Sequence, residues 1–134
     1  MIDPIEVSPE DRILHLGCGD GEVTGRLARL ASRGLAVGLD PSEETIRRGR
    51  RLWAAIENLM LARGDPGDPI PWQEGFFSAV LCQGEWPPGE IFRVLETGGR
   101  LVSLDPGTDS GNRLVAAGFE QVRLDGLRLE ARKP

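Results

Sequence analysis

An apolar run that ends in three closely spaced glycines decides the fold: Ile13-Leu14-His15-Leu16-Gly17-Cys18-Gly19-Asp20-Gly21. Residues 12–16 have the length and composition of a buried strand, and residues 21–32 carry apolar side chains at helical spacing. Glycine permits a tight turn and a close approach of the backbone to a ligand. The stretch therefore predicts a strand, a sharp turn and a helix in direct succession.

The same alternation continues along the chain. Apolar runs predict strands at 35–39, 58–62, 76–81 and 100–104, and helices at about 42–55, 90–95 and 110–117. Gly98-Gly99 is expected to end the helix at 90–95. Residues 119–124 and 127–131 flank Asp125-Gly126, a dipeptide typical of tight hairpins. We expect an α/β fold whose parallel sheet is covered on both faces, with at least one antiparallel strand added by the hairpin.

Length and composition limit the classes of protein that this chain can be. Its 134 residues suit a single domain, which we expect to span residues 1–134. Two cysteines, no signal-peptide profile and no apolar run of about 20 residues favour a cytoplasmic protein without a membrane segment. The net charge of −5 argues against a nucleic-acid partner, because binding of phosphate backbones depends on Lys and Arg. No metal site is predicted.

The glycine spacing points away from a nicotinamide dinucleotide. It is G-x-G-x-G, and Glu22 stands where the dinucleotide fingerprint has its third glycine. Asp20 and Glu22 flank the predicted helix start, where a dinucleotide would place its pyrophosphate. Two carboxylates would repel that group, so the pattern favours a cationic ligand. A plain glycine-rich turn is the alternative.

Two acids follow the next two strands, at the end of the sheet where ligands of open α/β folds bind. Asp40 ends the second strand and could accept hydrogen bonds from both hydroxyls of a ribose. Alternatively it caps the following helix, a role that Ser42 could also fill. Asp65 follows the third strand and could accept an amino proton from a purine, or could be a turn residue before Pro66.

Five segments in this order resemble the class I S-adenosylmethionine (SAM)-dependent methyltransferases, particularly the branch of small-molecule and general methyltransferases. The segments are residues 13–21, 37–42, 63–65 with 70–72 and 76–77, 93–101, and 117–120. The resemblance implies a Rossmann-like three-layer sandwich with a mostly parallel seven-stranded sheet. Its strand order would be 3-2-1-4-5-7-6, with strand 7 antiparallel.

The resemblance also implies SAM as the cofactor and a role for each site residue. The glycine turn would lie along the methionine part of SAM, and the Gln83 backbone would face its amino group. Asp40 would bind the ribose, Pro41 and Pro66 would flank the adenine, and Asp65 would bind the adenine amino group. The implied cofactor-binding residues are Gly17, Cys18, Gly19, Gly21, Asp40, Pro41, Asp65, Pro66 and Gln83.

Two residues are candidates for catalysis. Methyl transfer needs alignment of the partners, and it needs a general base only if the acceptor must lose a proton. Glu85, just past the fourth strand, is the first candidate, and a solvated loop acid is the alternative. His15 is the second, where this family commonly has an acid. A satisfied core histidine is its alternative.

Two departures from the family pattern bear on function. The segment after the fourth strand, 82–89, is short, and the 11 residues before Arg12 are too few for the helical lid that often precedes the first strand. The sequence therefore predicts either a methyltransferase of unidentified acceptor or a SAM- or S-adenosylhomocysteine-binding module. Such a module would be weak alone and completed by a partner protein or a second copy.

The short segment leads to one further expectation, at Trp86. Residues 84–89 are expected to contact the acceptor or to form a self-association surface, with Trp86 as its anchor. The alternative is that Trp86 packs into the core. Cys18 and Cys82 are expected near one sheet end, either as two small buried residues or as a redox pair.

Overall fold

Seven strands and four helices alternate along residues 3–134, the part of the chain that this computed structural model describes. The strands are β1 (Arg12–Leu16), β2 (Leu35–Asp40), β3 (Leu59–Arg63), β4 (Phe77–Gln83), β5 (Leu95–Leu104), β6 (Glu120–Asp125) and β7 (Arg128–Arg132). The helices are α1 (Glu22–Leu30), α2 (Glu43–Leu52), α3 (Pro88–Val94) and α4 (Ser110–Ala117). Every predicted element is present, with bounds within three residues of those predicted except at the start of β5.

One sheet contains all of these strands, in the order β3-β2-β1-β4-β5-β7-β6. The pairings from β3 across to β5 are parallel, and β7 is antiparallel to both β5 and β6. The strand order and the antiparallel seventh strand implied by the resemblance are confirmed. Because β1 to β5 run in one direction, their carboxyl ends share one edge of the sheet, here called the carboxyl edge.

Helices cover both faces of the sheet because successive residues of a strand point to opposite sides. Ile13 of β1 lies in a buried cluster with Leu27 of α1. Its neighbour Leu14 lies in a second cluster, together with Ile91 of α3 and Leu114 of α4. The three-layer arrangement is therefore confirmed.

The segment before β1 packs against the sheet without forming a helix or a strand. Residues 3–11 contain no helix, and Ile5, which is 2% exposed, belongs to the same cluster as Leu27. Arg128 and Arg100 donate hydrogen bonds to the carbonyls of Pro4 and Glu6. Within residues 3–134, no helix combines the length and the apolar character that crossing a membrane requires.

The prediction that Gly98-Gly99 ends the third helix is wrong. The helix α3 ends at Val94, and the extended Leu95 already pairs with Phe77 of β4. The register between β4 and β5 then shifts, and Gly98 adopts a φ of +82°. Glycine inside a strand commonly marks such a bulge, so here it interrupts β5 and does not precede it.

Candidate functional site

The carboxyl edge gathers the residues predicted to bind the cofactor. The glycine turn follows β1, Asp40 ends β2, the loop with Asp65 follows β3, and Gln83 ends β4. These four strands are neighbours in the order β3-β2-β1-β4. The predicted residues therefore form an arc around the end of β1, which is where the strand order reverses and where open sheets bind ligands.

The glycine turn is packed tightly against both neighbouring strands. The Gly17 N–H donates to the Leu39 carbonyl of β2 at 2.8 Å. A Cβ at Gly17, where φ is +75°, would overlap the Gln83 carbonyl oxygen. A Cβ at Gly21, where φ is +87°, would lie 2.8 Å from Leu61 Cδ1. Packing and backbone conformation therefore require glycine at both positions.

Gly19 differs because it leaves space. Its φ is +59°, and a Cβ there would meet no atom of residues 3–134 within 4 Å. The Gly19 N–H donates to Asp40 Oδ1 at 3.1 Å, and the Ser42 N–H donates to Asp40 Oδ2 at 3.1 Å. These donors hold the Asp40 carboxylate beside the open turn, and each of its oxygens can accept a further hydrogen bond.

The following helix has a cap other than Asp40. Ser42 is the N-cap of α2, and its Oγ accepts the Thr45 N–H at 3.2 Å. Asp40 supports this turn through the Ser42 N–H only. The two roles considered for Asp40 are therefore compatible, and its carboxylate is not needed as the helix cap.

An arginine that the sequence reasoning missed joins the loops after β2 and β3. Arg63 Nε donates to the Pro41 carbonyl at 3.1 Å, and Arg63 Nη2 lies 3.1 Å from Asp65 Oδ2. Pro66 follows and is half-buried. The one signal in the sequence was the position of Arg63 directly before Gly64-Asp65, and it carried no information about side-chain direction.

The loops after β4 and β5 touch each other on the other side of β1. Gln83 Nε2 donates to Asp105 Oδ2 at 3.2 Å. Glu85 is exposed, and its carboxylate lies directly over Gly107. The structure thus places Glu85 at the carboxyl edge and next to the loop that follows β5.

His15 lies inside the sheet, apart from the arc. Its side chain is 5% exposed, and its Nδ1 lies 2.8 Å from Thr24 Oγ1, at hydrogen-bond distance. Burial lowers the pKa of His15 from 6.5 to about 4, and the negative charge of Asp40 opposes this effect only in part. A buried, neutral imidazole that is already paired favours a structural role over the predicted catalytic one.

We expect His15 to make the fold sensitive to mild acid. Below pH 6.5 the unfolded chain binds a proton at His15, whereas the folded chain does not until about pH 4. The free energy of unfolding should therefore fall by about 2 kcal/mol between pH 7 and pH 5. Urea unfolding of the wild type and of His15→Gln at both pH values measures this. An equal loss in the two proteins would assign the effect to other groups.

The two cysteines are buried free thiols. Burial raises the pKa of Cys18 to about 12, and the charge of Asp40 adds to this effect. Burial also raises the pKa of Cys82 to about 12. Because the thiolate is the reactive form and burial disfavours it, the structure favours small packing residues over a redox pair.

The expectation of an edge anchor at Trp86 is wrong. Trp86 is 7% exposed and belongs to the buried cluster that includes Ile91 and Leu114. The short segment after β4 turns inward because Pro88 already begins α3, and this brings Trp86 under the helix layer. Trp86 therefore packs in the core, which is the alternative to an edge anchor that the sequence analysis gives.

Two clefts formed by residues 3–134 lie away from the predicted cofactor residues. A cleft of about 700 Å³ lies over β5, β6 and β7 and is lined partly by Arg100, Arg123, Arg128 and Arg132. A second, of about 560 Å³, lies between residues 106–112 and the β6–β7 hairpin. No predicted cofactor residue lines either cleft. The candidate site is therefore argued from its backbone turn and carboxylates and not from these two clefts.

Comparison with known proteins finds relatives that are methyltransferases. Residues 13–99 match the sequence model of a family described as "Methyltransferase domain". The "Uncharacterized 37.1 kDa protein in transposon TN4556" of Streptomyces fradiae is 33% identical over 121 residues, covering 82% of this chain and 34% of that protein. Demethylmenaquinone methyltransferase of Symbiobacterium thermophilum is 31% identical over 125 residues, covering 83% and 48%. The chain thus spans less than half the length of these two relatives.

Solved structures share the fold. A SAM-dependent methyltransferase from Aquifex aeolicus has a TM-score of 0.80 at 16% identity, covering 98% of this chain and 86% of that chain. A chain of the Haloferax volcanii complex that contains the Trm112 methyltransferase activator has a TM-score of 0.76 at 19% identity, covering 92% and 67%. At these identities the likeness concerns the fold alone.

Proposed function

The chain belongs to the class I SAM-dependent methyltransferases, and from this premise we propose that it transfers a methyl group from SAM to an acceptor. The family implies SAM as the cofactor. The observation that carries the proposal is the contact between Gly19 and Asp40. It holds a carboxylate beside an open backbone turn at the carboxyl edge.

The chemistry of the arc fits an S-adenosyl ligand. A carboxylate accepts hydrogen bonds, so Asp40 suits the two ribose hydroxyls and Asp65 suits the adenine amino group. The methionine part would lie along the backbone from Gly17 to Gly19 and beside Gln83. Asp20 and Glu22 near the start of α1 disfavour the pyrophosphate of a dinucleotide and tolerate a cationic ligand.

The residues of this chain then have to orient the cofactor and exclude water. When bound, SAM supplies a methyl group on a sulfonium, which an acceptor nucleophile attacks in line. Asp40 would fix the ribose, and the turn would fix the methionine part. The paired loops at Gln83 and Asp105 would limit access of water from the side of β4 and β5.

Glu85 is the general base that we propose for acceptors whose nucleophile must lose a proton. Its carboxylate is exposed at the carboxyl edge, next to the loop after β5. His15 is the weaker candidate because its buried imidazole has a pKa of about 4 and faces Thr24. Neither residue is needed for an acceptor that is already a nucleophile.

A second candidate function is a SAM- or S-adenosylhomocysteine-binding module that a partner protein or a second copy completes. Two observations support this binding module as a second candidate. The chain spans less than half of the two curated relatives described above, and a structural neighbour is found in a complex with an activator. The two candidates share the cofactor site and differ in whether this chain turns over alone.

Calorimetry with SAM, S-adenosylhomocysteine and NAD tests the cofactor site. We expect binding of the first two ligands and none of NAD, and the reverse would overturn the proposal. Transfer of a labelled methyl group to a broad panel of acceptors then separates the two candidates. Turnover by the free chain supports the enzyme, whereas tight binding without turnover supports the module.

Replacement of Asp40 should weaken the cofactor site without unfolding the chain. Asp40→Ala is expected to reduce the binding free energy of S-adenosylhomocysteine by about 1.5–3 kcal/mol, the range for hydrogen bonds to a charged group. Asp40→Asn should lose less, because one acceptor oxygen remains. Calorimetry measures both, and Glu57→Ala, which removes an equal charge from an exposed position, is the control. Unchanged affinity in Asp40→Ala would leave Asp40 with a role in the turn only.

A further inference from the structure

We propose that Arg63 is a positioning residue that aims Asp65 at the 6-amino group of the cofactor's adenine. This inference rests on the proposed function, because it takes Asp65 as the residue that binds adenine. Arg63 itself has no assigned role in that function. Its position and its two contacts carry the inference.

The position of Arg63 is fixed by the strand register. It is the last residue of β3 and pairs directly with Asp40, the last residue of β2. The Gly64 N–H donates to the Asp40 carbonyl at 3.1 Å, which extends the ladder by one step. The backbone of Arg63 is therefore held at the point where the loops after β2 and β3 separate.

The guanidinium spans these two loops. Its Nε donates to the Pro41 carbonyl, and its Nη2 pairs with Asp65 Oδ2, both at 3.1 Å. A planar guanidinium can make the two contacts at once in fixed directions, whereas a lysine ammonium is a point charge on a flexible stem. The Pro41 contact thus anchors the group that orients the Asp65 carboxylate.

The contact between Arg63 and Asp65 should raise both the affinity for adenine and the selectivity for its 6-amino group. Asp65 lies on a turn closed by the hydrogen bond from the Asp68 N–H to the Asp65 carbonyl. With Oδ2 engaged by Arg63, Oδ1 is directed as the acceptor for an amino group. An exposed ion pair without this function would contribute little, since Arg63 and Asp65 side chains are 57% and 37% exposed.

The experiment compares two ligands that differ at one group. S-adenosylhomocysteine carries the 6-amino group, and S-inosylhomocysteine has an oxygen in its place. We expect the wild type to prefer the first and Asp65→Ala to lose that preference. Arg63→Ala should reduce the preference about three- to five-fold through weaker binding of S-adenosylhomocysteine alone. Arg63→Lys should not restore it.

Three other outcomes would overturn the inference about Arg63. Equal weakening of both ligands in Arg63→Ala would make Arg63 merely structural, and an unchanged preference would remove it from the site; either overturns the inference. A wild type that binds neither ligand would overturn the proposed function together with it. Arg33→Ala, which breaks an exposed ion pair with Glu10 at the opposite edge, is the control and should leave both affinities unchanged.

Discussion

Gly19→Val should abolish binding of SAM and S-adenosylhomocysteine while the chain still folds. The position has a φ of +59°, so an L side chain there costs about 1–2 kcal/mol of stability. A Cβ would meet no described atom within 4 Å, so the protein leaves space for the start of a side chain. That room lies beside the Asp40 carboxylate, in the space that the ligand is proposed to occupy. Calorimetry measures the loss, and circular dichroism checks the fold.

Gly98→Val is the matched control. Gly98 has a φ of +82°, and a Cβ there also meets nothing within 4 Å of the described residues. It lies at the bulge of β5, where its N–H donates to the Lys133 carbonyl, far along the chain from the arc. The two variants should lose similar stability, and only Gly19→Val should lose binding. Normal binding of SAM by a folded Gly19→Val would show that this turn does not approach the ligand.

The order of elements and the place of the site could be read from the sequence because both depend on local patterns. The run from Ile13 to Gly21 predicts its strand and turn through composition alone, and Asp125-Gly126 predicts the hairpin in the same way. Ends of parallel strands fall at one edge, so Asp40 and Asp65 were expected together before any contact was known.

The contacts that the sequence could not give are those between side chains from different loops. The sequence analysis includes Arg63 in the segment 63–65 but assigns its side chain no role. Its hydrogen bond to the Pro41 carbonyl depends on the register of β2 against β3. The predicted start of β5 is wrong because a glycine pair can either end a helix or form a strand bulge, and only the pairing with β4 decides between them.

The sequence pattern also could not predict how deeply two of the candidate side chains are buried. His15 and Trp86 are both buried, at 5% and 7% exposure, because of packing between layers that residue order alone does not reveal. Periodicity places His15 on an apolar strand, but Thr24 as its partner comes from α1. For Trp86, the short segment suggested an exposed edge, whereas the early start of α3 turns the indole inward.

Trp86→Ala should therefore be a stability variant with an intact cofactor site. Removal of a buried tryptophan costs about 3–5 kcal/mol, through lost burial and the cavity that remains. For a domain of 134 residues this corresponds to a fall in melting temperature of about 10–18 °C. A small open cleft of about 30 Å³ already adjoins Trp86, Ile91 and Leu114, and it would enlarge unless the helices close over it. Scanning calorimetry measures the melting temperature.

The readouts that separate packing from an interface are assembly and affinity measured on the folded fraction. Trp86→Ala should bind S-adenosylhomocysteine nearly as the wild type does, and its sedimentation should be unchanged. Trp72→Ala is the matched control, because Trp72 is half-buried and contacts the Phe77 ring at 5.8 Å between centroids. It should lose less stability, since less area leaves water when the fold forms. A small thermal effect of Trp86→Ala together with a change of oligomeric state would contradict the core assignment and return Trp86 to an interface.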